Sequence, residues 1–375
     1  VFITGEFEGT ATFGALPSLN SSDTDIFIAS YNAITGAENW AIKGGSSNDD
    51  YGTGIAVDPS GVYVTGSYQG TITFQNMTGT LSNSGNNDVF TVKYTTSGSG
   101  IWKRKAGGSG NEQGTSIVVS GNFVYVGGYF TSTMSLFDTG PAVATITAAS
   151  GDDAFLIQYN VTSGNYAWVR SENGTGLDRA LGVAASPAGD VFMTGYFNGT
   201  LPCGSGPSIS SNLNDVFVTK YNSAGTFQWG KKVVGASDDY GRGIVAPDNT
   251  SIYIAGGYRS TPATFDAFSI STSSNLDIFV AKIGCTCTVS DAGPDQTLCS
   301  STATLAGNTP ITGTGLWTLV SGNGTIITPS SPTSGLSGLT AGIHVFQWTI
   351  TNSVCPATTF DQVTITVDSI PTTAN

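Results

Sequence analysis

The feature that most constrains this chain is that it repeats itself. A short strand ending in glycine recurs as Val1-Phe2-Ile3-Thr4-Gly5, Val62-Tyr63-Val64-Thr65-Gly66, Val124-Tyr125-Val126-Gly127-Gly128, Val191-Phe192-Met193-Thr194-Gly195 and Ile252-Tyr253-Ile254-Ala255-Gly256, in steps of 61, 62, 67 and 61 residues. A second strand keeps the same period, with Asp two residues before Phe: Asp25/Phe27, Asp88/Phe90, Asp153/Phe155, Asp215/Phe217 and Asp277/Phe279. A third carries one tryptophan, at Trp40, Trp102, Trp168 and Trp229, and a fourth reads Gly54-Ile55-Ala56-Val57 and its equivalents from Ser116, Gly182 and Gly243. Gly, Asn and Ser separate these β-branched and aromatic runs, so each unit holds at least four short strands joined by turns.

A four-stranded antiparallel unit repeated in tandem is the signature of β-propeller blades. One blade cannot bury both faces, and stacking on its neighbours supplies the missing cover. The period exceeds the roughly 40–50 residues of common blades. The excess lies between the glycine-ended strand and the Asp-Phe strand, which predicts a hairpin extending past each blade. The repeats supply eighteen strands, four and a half blades at four strands each. A propeller of about five blades is preferred, with part of a larger ring as the alternative.

The pattern Asp-x-Phe-x-x-x-Tyr, then Trp, then Asp49-Asp50-Tyr51-Gly52-Thr53-Gly54-Ile55-Ala56-Val57-Asp58-Pro59-Ser60-Gly61-Val62-Tyr63-Val64-Thr65-Gly66 resembles the bacterial SBBP-type β-propeller repeat. The resemblance covers about residues 1–284. It implies a secreted bacterial propeller and no particular chemistry, because that family is defined by its scaffold.

The period breaks at Cys285. Residues 285–370 carry short alternating strands, with Trp317 and Trp348 as core aromatics of a β-sandwich. Asp291-Ala292-Gly293-Pro294-Asp295-Gln296-Thr297-Leu298-Cys299, followed by Gly-Leu-Trp, Phe-Gln-Trp-Thr-Ile and Cys355, resembles the PKD-like or Ig-like domains of Bacteroidota surface proteins. By that resemblance Cys299 and Cys355 form an internal disulfide. Residues 371–375 read as a linker toward a further domain, since Thr373-Ala374-Asn375 stands where a second copy would open.

Composition narrows the function. Thirteen Lys and Arg face 26 Asp and Glu, giving a formal charge of −13, which leaves no basic surface for phosphates and argues against nucleic-acid binding. No run approaches the roughly 18 apolar residues of a membrane span, so membrane insertion is not expected. Four of the five cysteines cluster in the last quarter, which suits an extracellular, disulfide-permissive setting.

Catalytic motifs are sparse. The repeated Asp residues and tryptophans occur once per unit, as scaffold residues do, whereas a catalytic acid occurs once. A sialidase would need clustered arginines, yet Arg104, Arg170, Arg179, Arg242 and Arg259 read as scattered among their units. A triad hydrolase would need a histidine, and the only one, His344, lies in a sandwich strand. Lys103-Arg104-Lys105 reads as a solvated face. The acidic loops place Asp49, Asp50, Asp238 and Asp239 as Ca²⁺ candidates, the one cofactor the sequence suggests. Capping of a turn is the favoured reading, because the ion needs six to eight oxygens and no loop has EF-hand spacing. Asp368-Ser369-Ile370 resembles the Bacteroidota O-glycosylation motif, with Ser369 as acceptor.

These features lead to a non-catalytic structural or adhesive module of a large secreted or cell-surface, filament-forming bacterial protein, exported by type IX secretion. Its partners would be other copies of itself, other surface proteins or glycans. The alternative is a carbohydrate-binding propeller that docks an exported enzyme to polysaccharide. Contact specificity is expected where the repeat is least regular, in residues 137–152 and in Thr200-Leu201-Pro202-Cys203-Gly204, since equivalent blades offer equivalent surfaces.

Overall fold

The structure, a computed structural model, describes residues 1–202, 208–265, 268–271, 276–284, 288–310, 313–351 and 359–369. Every regular element among them is a β-strand. The chain divides into two units, Val1–Lys282 and Ile283–Asn375, two residues short of the boundary expected from the sequence.

The first unit is a series of antiparallel blades. Blade II shows the plan: an inner strand Asp50–Asp58, a second Gly61–Tyr68, a third Asp88–Tyr94 and an outer strand Gly100–Gly108, paired in that order. Blade III repeats it with Glu112–Ser120, Phe123–Phe130, Asp153–Asn160 and Tyr166–Glu172. Blade IV does so with Asp178–Ala185, Val191–Leu201, Ile209–Tyr221 and Phe227–Val234. Blade I has the second, third and outer strands, Phe2–Phe7, Asp25–Tyr31 and Glu38–Gly45. Blade V has the inner, second and third, Asp239–Val245, Ser251–Tyr258 and Asp277–Gly284. Inner strands of successive blades touch: Thr53 Oγ1 donates to the Gly114 carbonyl at 2.5 Å, and Thr115 Oγ1 to the Ala180 carbonyl at 2.8 Å. The apolar cores lie between blades. Tyr63 and Val89 of blade II, for example, share one cluster with Val124 and Phe155 of blade III.

The glycine that ends each second strand has a steric cause. All four inner strands slip register by one residue, between Gly52 and Gly54, Gly114 and Ser116, Ala180 and Gly182, and Gly241 and Gly243. Beside each bulge a backbone carbonyl presses on the second strand. A Cβ on Gly66, Gly128, Gly195 or Gly256 would lie 1.8, 1.9, 1.8 or 1.9 Å from the carbonyl oxygen of Tyr51, Gln113, Arg179 or Tyr240. Only glycine tolerates that approach.

The tryptophans join the blades. Within its own blade each stacks on the aromatic residue of the second strand, Trp40 on Phe2, Trp102 on Tyr63, Trp168 on Tyr125 and Trp229 on Phe192, with ring centroids 6.0–6.2 Å apart. The indole N–H then crosses to the next blade. Trp40, Trp102 and Trp168 donate to the carbonyls of Thr96, Val161 and Ser223 at 3.0, 3.1 and 3.2 Å. Those carbonyls belong to the turns between third and outer strands. Each turn carries a left-handed glycine, Gly98, Gly164 or Gly225, lying flat on the indole. The tryptophans are therefore packing residues, as their periodicity implies.

The predicted hairpins form, and their destination is something the sequence did not reveal. Thr71–Phe74 with Thr80–Ser82, Thr133–Phe137 with Ala142–Thr147, and Ala263–Phe265 with Phe268–Ile270 pair onto the outer strand of the preceding blade. A unit thus contributes strands to two sheets, extending two of them to six strands.

The second unit has two sheets. One orders Gln296–Leu298, Thr359–Val367, Gly342–Thr351 and Thr314–Ser321, with the first pair parallel; the other orders Ala303–Thr304, Gly335–Ser337 and Thr325–Ile326. Residues of both share one core around Trp317 and Trp348, which are cross-strand partners with ring centroids 5.0 Å apart.

Because a Cβ on Gly164 (φ 69°) would meet the Trp102 ring at 2.6 Å, Gly164→Ala combines backbone strain with a clash. Gly121 (φ 57°) has nothing within 4 Å, so Gly121→Ala isolates the strain. Thermal unfolding should show the Gly164 variant losing about 1–3 kcal/mol more than the Gly121 variant, the cost of overpacking against the ring. Equal losses would mean that the indole contact contributes nothing.

Candidate functional site

The blade boundaries contain most of the titratable side chains that the repeat singles out. The third strands of blades I, II, III and V begin with an aspartate, that of blade IV carries its aspartate, Asp215, within the strand, and each inner strand begins with an acid; in blade II, Asp50, Tyr68 and Asp88 are in register across three strands. Asp88 faces Glu112, and Asp153 faces Asp178, across consecutive boundaries. Asp25, Asp50, Asp88, Glu112, Asp153, Asp178, Asp215 and Asp239 are all at most 1% exposed. Backbone amides bind one side of several carboxyls. Ser46 N and Gln69 N donate to Asp50 at 2.6 and 3.1 Å, Gly108 N to Glu112 at 2.8 Å and Arg259 N to Asp239 at 2.9 Å. Lys43 pairs with Asp25 at 2.7 Å, and Lys105 lies 3.7 Å from Asp88. Oxygens of Asp88, Glu112, Asp153 and Asp178 remain buried without a hydrogen-bond donor.

Burial dominates the acidity of these groups. It pushes Asp50 to about 7, Glu112 to about 8 and Asp178 to about 8, with the facing carboxyl adding to the rise in the last two. Asp88, Asp153 and Asp215 are raised to about 6 by the same desolvation.

Of the calcium candidates, Asp50 and Asp239 are thus buried acceptors of backbone amides. Asp49 accepts Thr24 N at 3.3 Å and Asp238 accepts Asn214 N at 3.1 Å. Among the described residues no three His, Cys, Asp or Glu side chains come together in a metal-binding group. His344 is 3% exposed, with Nδ1 accepting Asn323 N at 2.9 Å and Nε2 2.8 Å from the Thr340 carbonyl. Cys299 is exposed and forms no disulfide among the described residues, while Cys355, its expected partner, lies outside them, as do Cys203, Cys285 and Cys287. Ser369 is exposed.

Two expectations about basic residues are corrected. Lys103-Arg104-Lys105 is no solvated face: Arg104 is 6% exposed, donates to the Ser163 carbonyl at 2.6 Å and lies over the Trp102 ring. The arginines are not all scattered either. Arg104 and Arg170 hold the same position two residues after the tryptophan, and Arg170 lies over Trp168 as Arg104 does over Trp102. Alignment on the tryptophan strand would have shown this.

Two places break the symmetry. At the boundary of blades III and IV the hairpin runs on as an extension of the second and third strands, pairing Gly199 with Ser211, Thr200 with Ser210 and Leu201 with Ile209. Among the described residues the outer strand Tyr166–Glu172 therefore pairs with no hairpin strand. A cavity of about 460 Å³ opens there, lined by Arg170, Glu172, Asn173, Tyr221, Thr226 and Phe227 among others, with Pro202 of the irregular segment on its wall. The second place is the far face of blade V. Ile278 is 87% and Val280 76% exposed. Their counterparts, Ile26, Val89, Ala154 and Val216, and Ile28, Thr91, Leu156 and Val218, are at most 1% exposed under the next blade.

No family model matches the chain. An uncharacterised WD repeat-containing protein of Acanthamoeba polyphaga mimivirus is 27% identical over 217 residues, which are 48% of this chain and 15% of that protein. The chain spans a small fraction of that relative's length. The likeness to a WD repeat protein agrees with the propeller-like, all-β fold.

The raised carboxyls make stability depend on pH with a definite sign. Each holds its proton more tightly folded than unfolded, so its contribution is complete below the ordinary carboxylate range and is lost as pH rises through about 6 to about 8. The melting temperature should therefore fall by several degrees between about pH 5 and about pH 9. Glu112→Gln with Asp178→Asn, which imitates the protonated pairs, should flatten that fall. Unchanged pH dependence in the double variant would place its origin outside the boundaries.

Proposed function

We propose that this chain works by contact, as a non-catalytic structural or adhesive module of a large secreted or cell-surface bacterial protein. In this reading the first unit is an SBBP-type propeller segment and the second a PKD-like, Ig-like domain, of the kind displayed by Bacteroidota through type IX secretion. The observation that carries it is the open face of blade V. A blade face of this repeat is built to be covered by another unit, and here Tyr253, Ile278 and Val280 lie uncovered at 37, 87 and 76% exposure. An apolar patch of that kind marks a protein contact. The repeated polar and aromatic residues support the same reading, since the acids face one another across blade boundaries and the tryptophans bond across them.

The test is association. Sedimentation velocity should show the purified chain associating as its concentration rises, and Ile278→Asp with Val280→Asp should leave a monomer with an unchanged melting temperature. A wild-type chain that stays monomeric at every concentration, and whose adhesion is unaffected by the same substitutions, would refute this face as the contact.

A further inference from the structure

Three of the blade boundaries are sealed in one way, and the fourth is not. Phe74, Leu136 and Phe265 each sit on a hairpin strand paired to the preceding outer strand, at the equivalent positions Gly44, Ala106 and Val233. Among the described residues no hairpin strand pairs with the outer strand of blade III, and a cavity of about 460 Å³ borders that strand. That size is in the usual range of small-molecule sites, roughly 300–1,000 Å³.

The chemistry of its walls follows from comparing equivalent arginines. Arg104 has a carboxylate neighbour from the hairpin that covers it, Asp138, 3.9 Å away. The corresponding segment of the next unit, residues 199–214, contains no Asp or Glu in its sequence. Among the described residues no carboxylate lies within 4.0 Å of Arg170, yet its guanidinium is fixed. Nε donates to the Gly225 carbonyl at 2.5 Å, one terminal nitrogen donates to the Val169 carbonyl at 2.6 Å, and the Trp168 ring lies beneath. A held guanidinium fork without a counter-ion is the protein's preferred device for a carboxylate.

The remaining walls favour a ring bearing hydroxyls. Phe227 stands edge-on to Tyr221 with centroids 5.7 Å apart, forming an aromatic corner. Ser171, Asn173 and Thr226 supply hydroxyl and amide groups at the rim. Glu172, 2% exposed and bonded to the Tyr221 hydroxyl, lies on the same wall. Burial raises its pKa to about 7, so near neutrality it can both donate to and accept from a hydroxyl and repels an anion only weakly.

We propose that the cavity between blades III and IV binds an acidic sugar residue, its carboxylate on Arg170, its ring against Phe227 and its hydroxyls at Asn173, Thr226 and Glu172. The site is independent of the blade V face, and it deepens the glycan-binding alternative by naming a place and a sugar class.

The experiment uses the full chain and a short oligogalacturonate, followed by isothermal titration and saturation-transfer NMR. Saturable binding is expected, weakened at least about tenfold by Arg170→Gln and retained by Arg104→Gln. The methyl-esterified oligomer should bind as weakly as the Arg170 variant does the acid. Should Arg170→Gln not fold, Asn173→Trp obstructs the cavity from an exposed rim position and should abolish binding with the melting temperature intact. Absence of saturable binding by folded wild type, equal binding of ester and acid, or full binding by either folded cavity variant would overturn the proposal. So would capture of a peptide carboxylate in preference to the sugar. None of these results would alter the association test at Ile278 and Val280.

Discussion

The first unit depends on the contact between an indole and a glycine turn. Each tryptophan is anchored in its own blade on an aromatic of the second strand and reaches over the boundary with its N–H. The acceptor is a backbone carbonyl, and it also takes a second donor from the tryptophan's own blade: Lys93 Nζ joins Trp102 on the Val161 carbonyl, and Gln158 Nε2 joins Trp168 on the Ser223 carbonyl. At these two boundaries two donors on one carbonyl fix both the distance and the angle between neighbours, which apolar packing alone does not do. The glycine under the indole then has no alternative, because a side chain there would occupy the space of the ring.

At the other end of the blades the acids place a different constraint on the same boundary. Carboxyls facing each other away from water are stable only when a proton or an amide compensates them. The amides of Ser46, Gly108 and Arg259 do so on one side. Burial raises the affinity of the remaining oxygens for protons, which links the stacking of the repeats to pH. The same chain thus combines a boundary that is geometrically strict at its turns with one that is chemically adjustable at its strand starts.

Departures from the repeat carry the functional reading because a repeated scaffold cannot make one unit different from another. Blade V offers a covered-type face to solvent, and among the described residues no hairpin strand pairs with the outer strand of blade III. The retained arginine is informative in that context. Arg104 and Arg170 hold their tryptophans in the same way, and only the surroundings of the guanidinium differ. One arginine is closed over by a hairpin that brings Asp138; the other borders a cavity.

The sequence by itself determined the period, the all-β class, the four strand types and a break at Cys285, two residues after the one in the structure, because strand periodicity and turn chemistry are local properties. It also determined that repeated acids and tryptophans are scaffold. It could not show which sheet a hairpin joins. That is a non-local pairing choice, and Thr71–Phe74 reads the same whether it extends its own blade or the one before. Nor could it show that Arg104 is buried, since a strand of alternating charges looks solvated until the neighbouring turn is placed over it. The glycine at each second-strand end was legible as a signature, but its reason, a carbonyl forced inward by a bulge on another strand, exists only in three dimensions. The cavity beside Arg170 was the least legible of all. It borders a strand with which no hairpin strand pairs among the described residues, and only the tertiary structure decides where such a pairing forms.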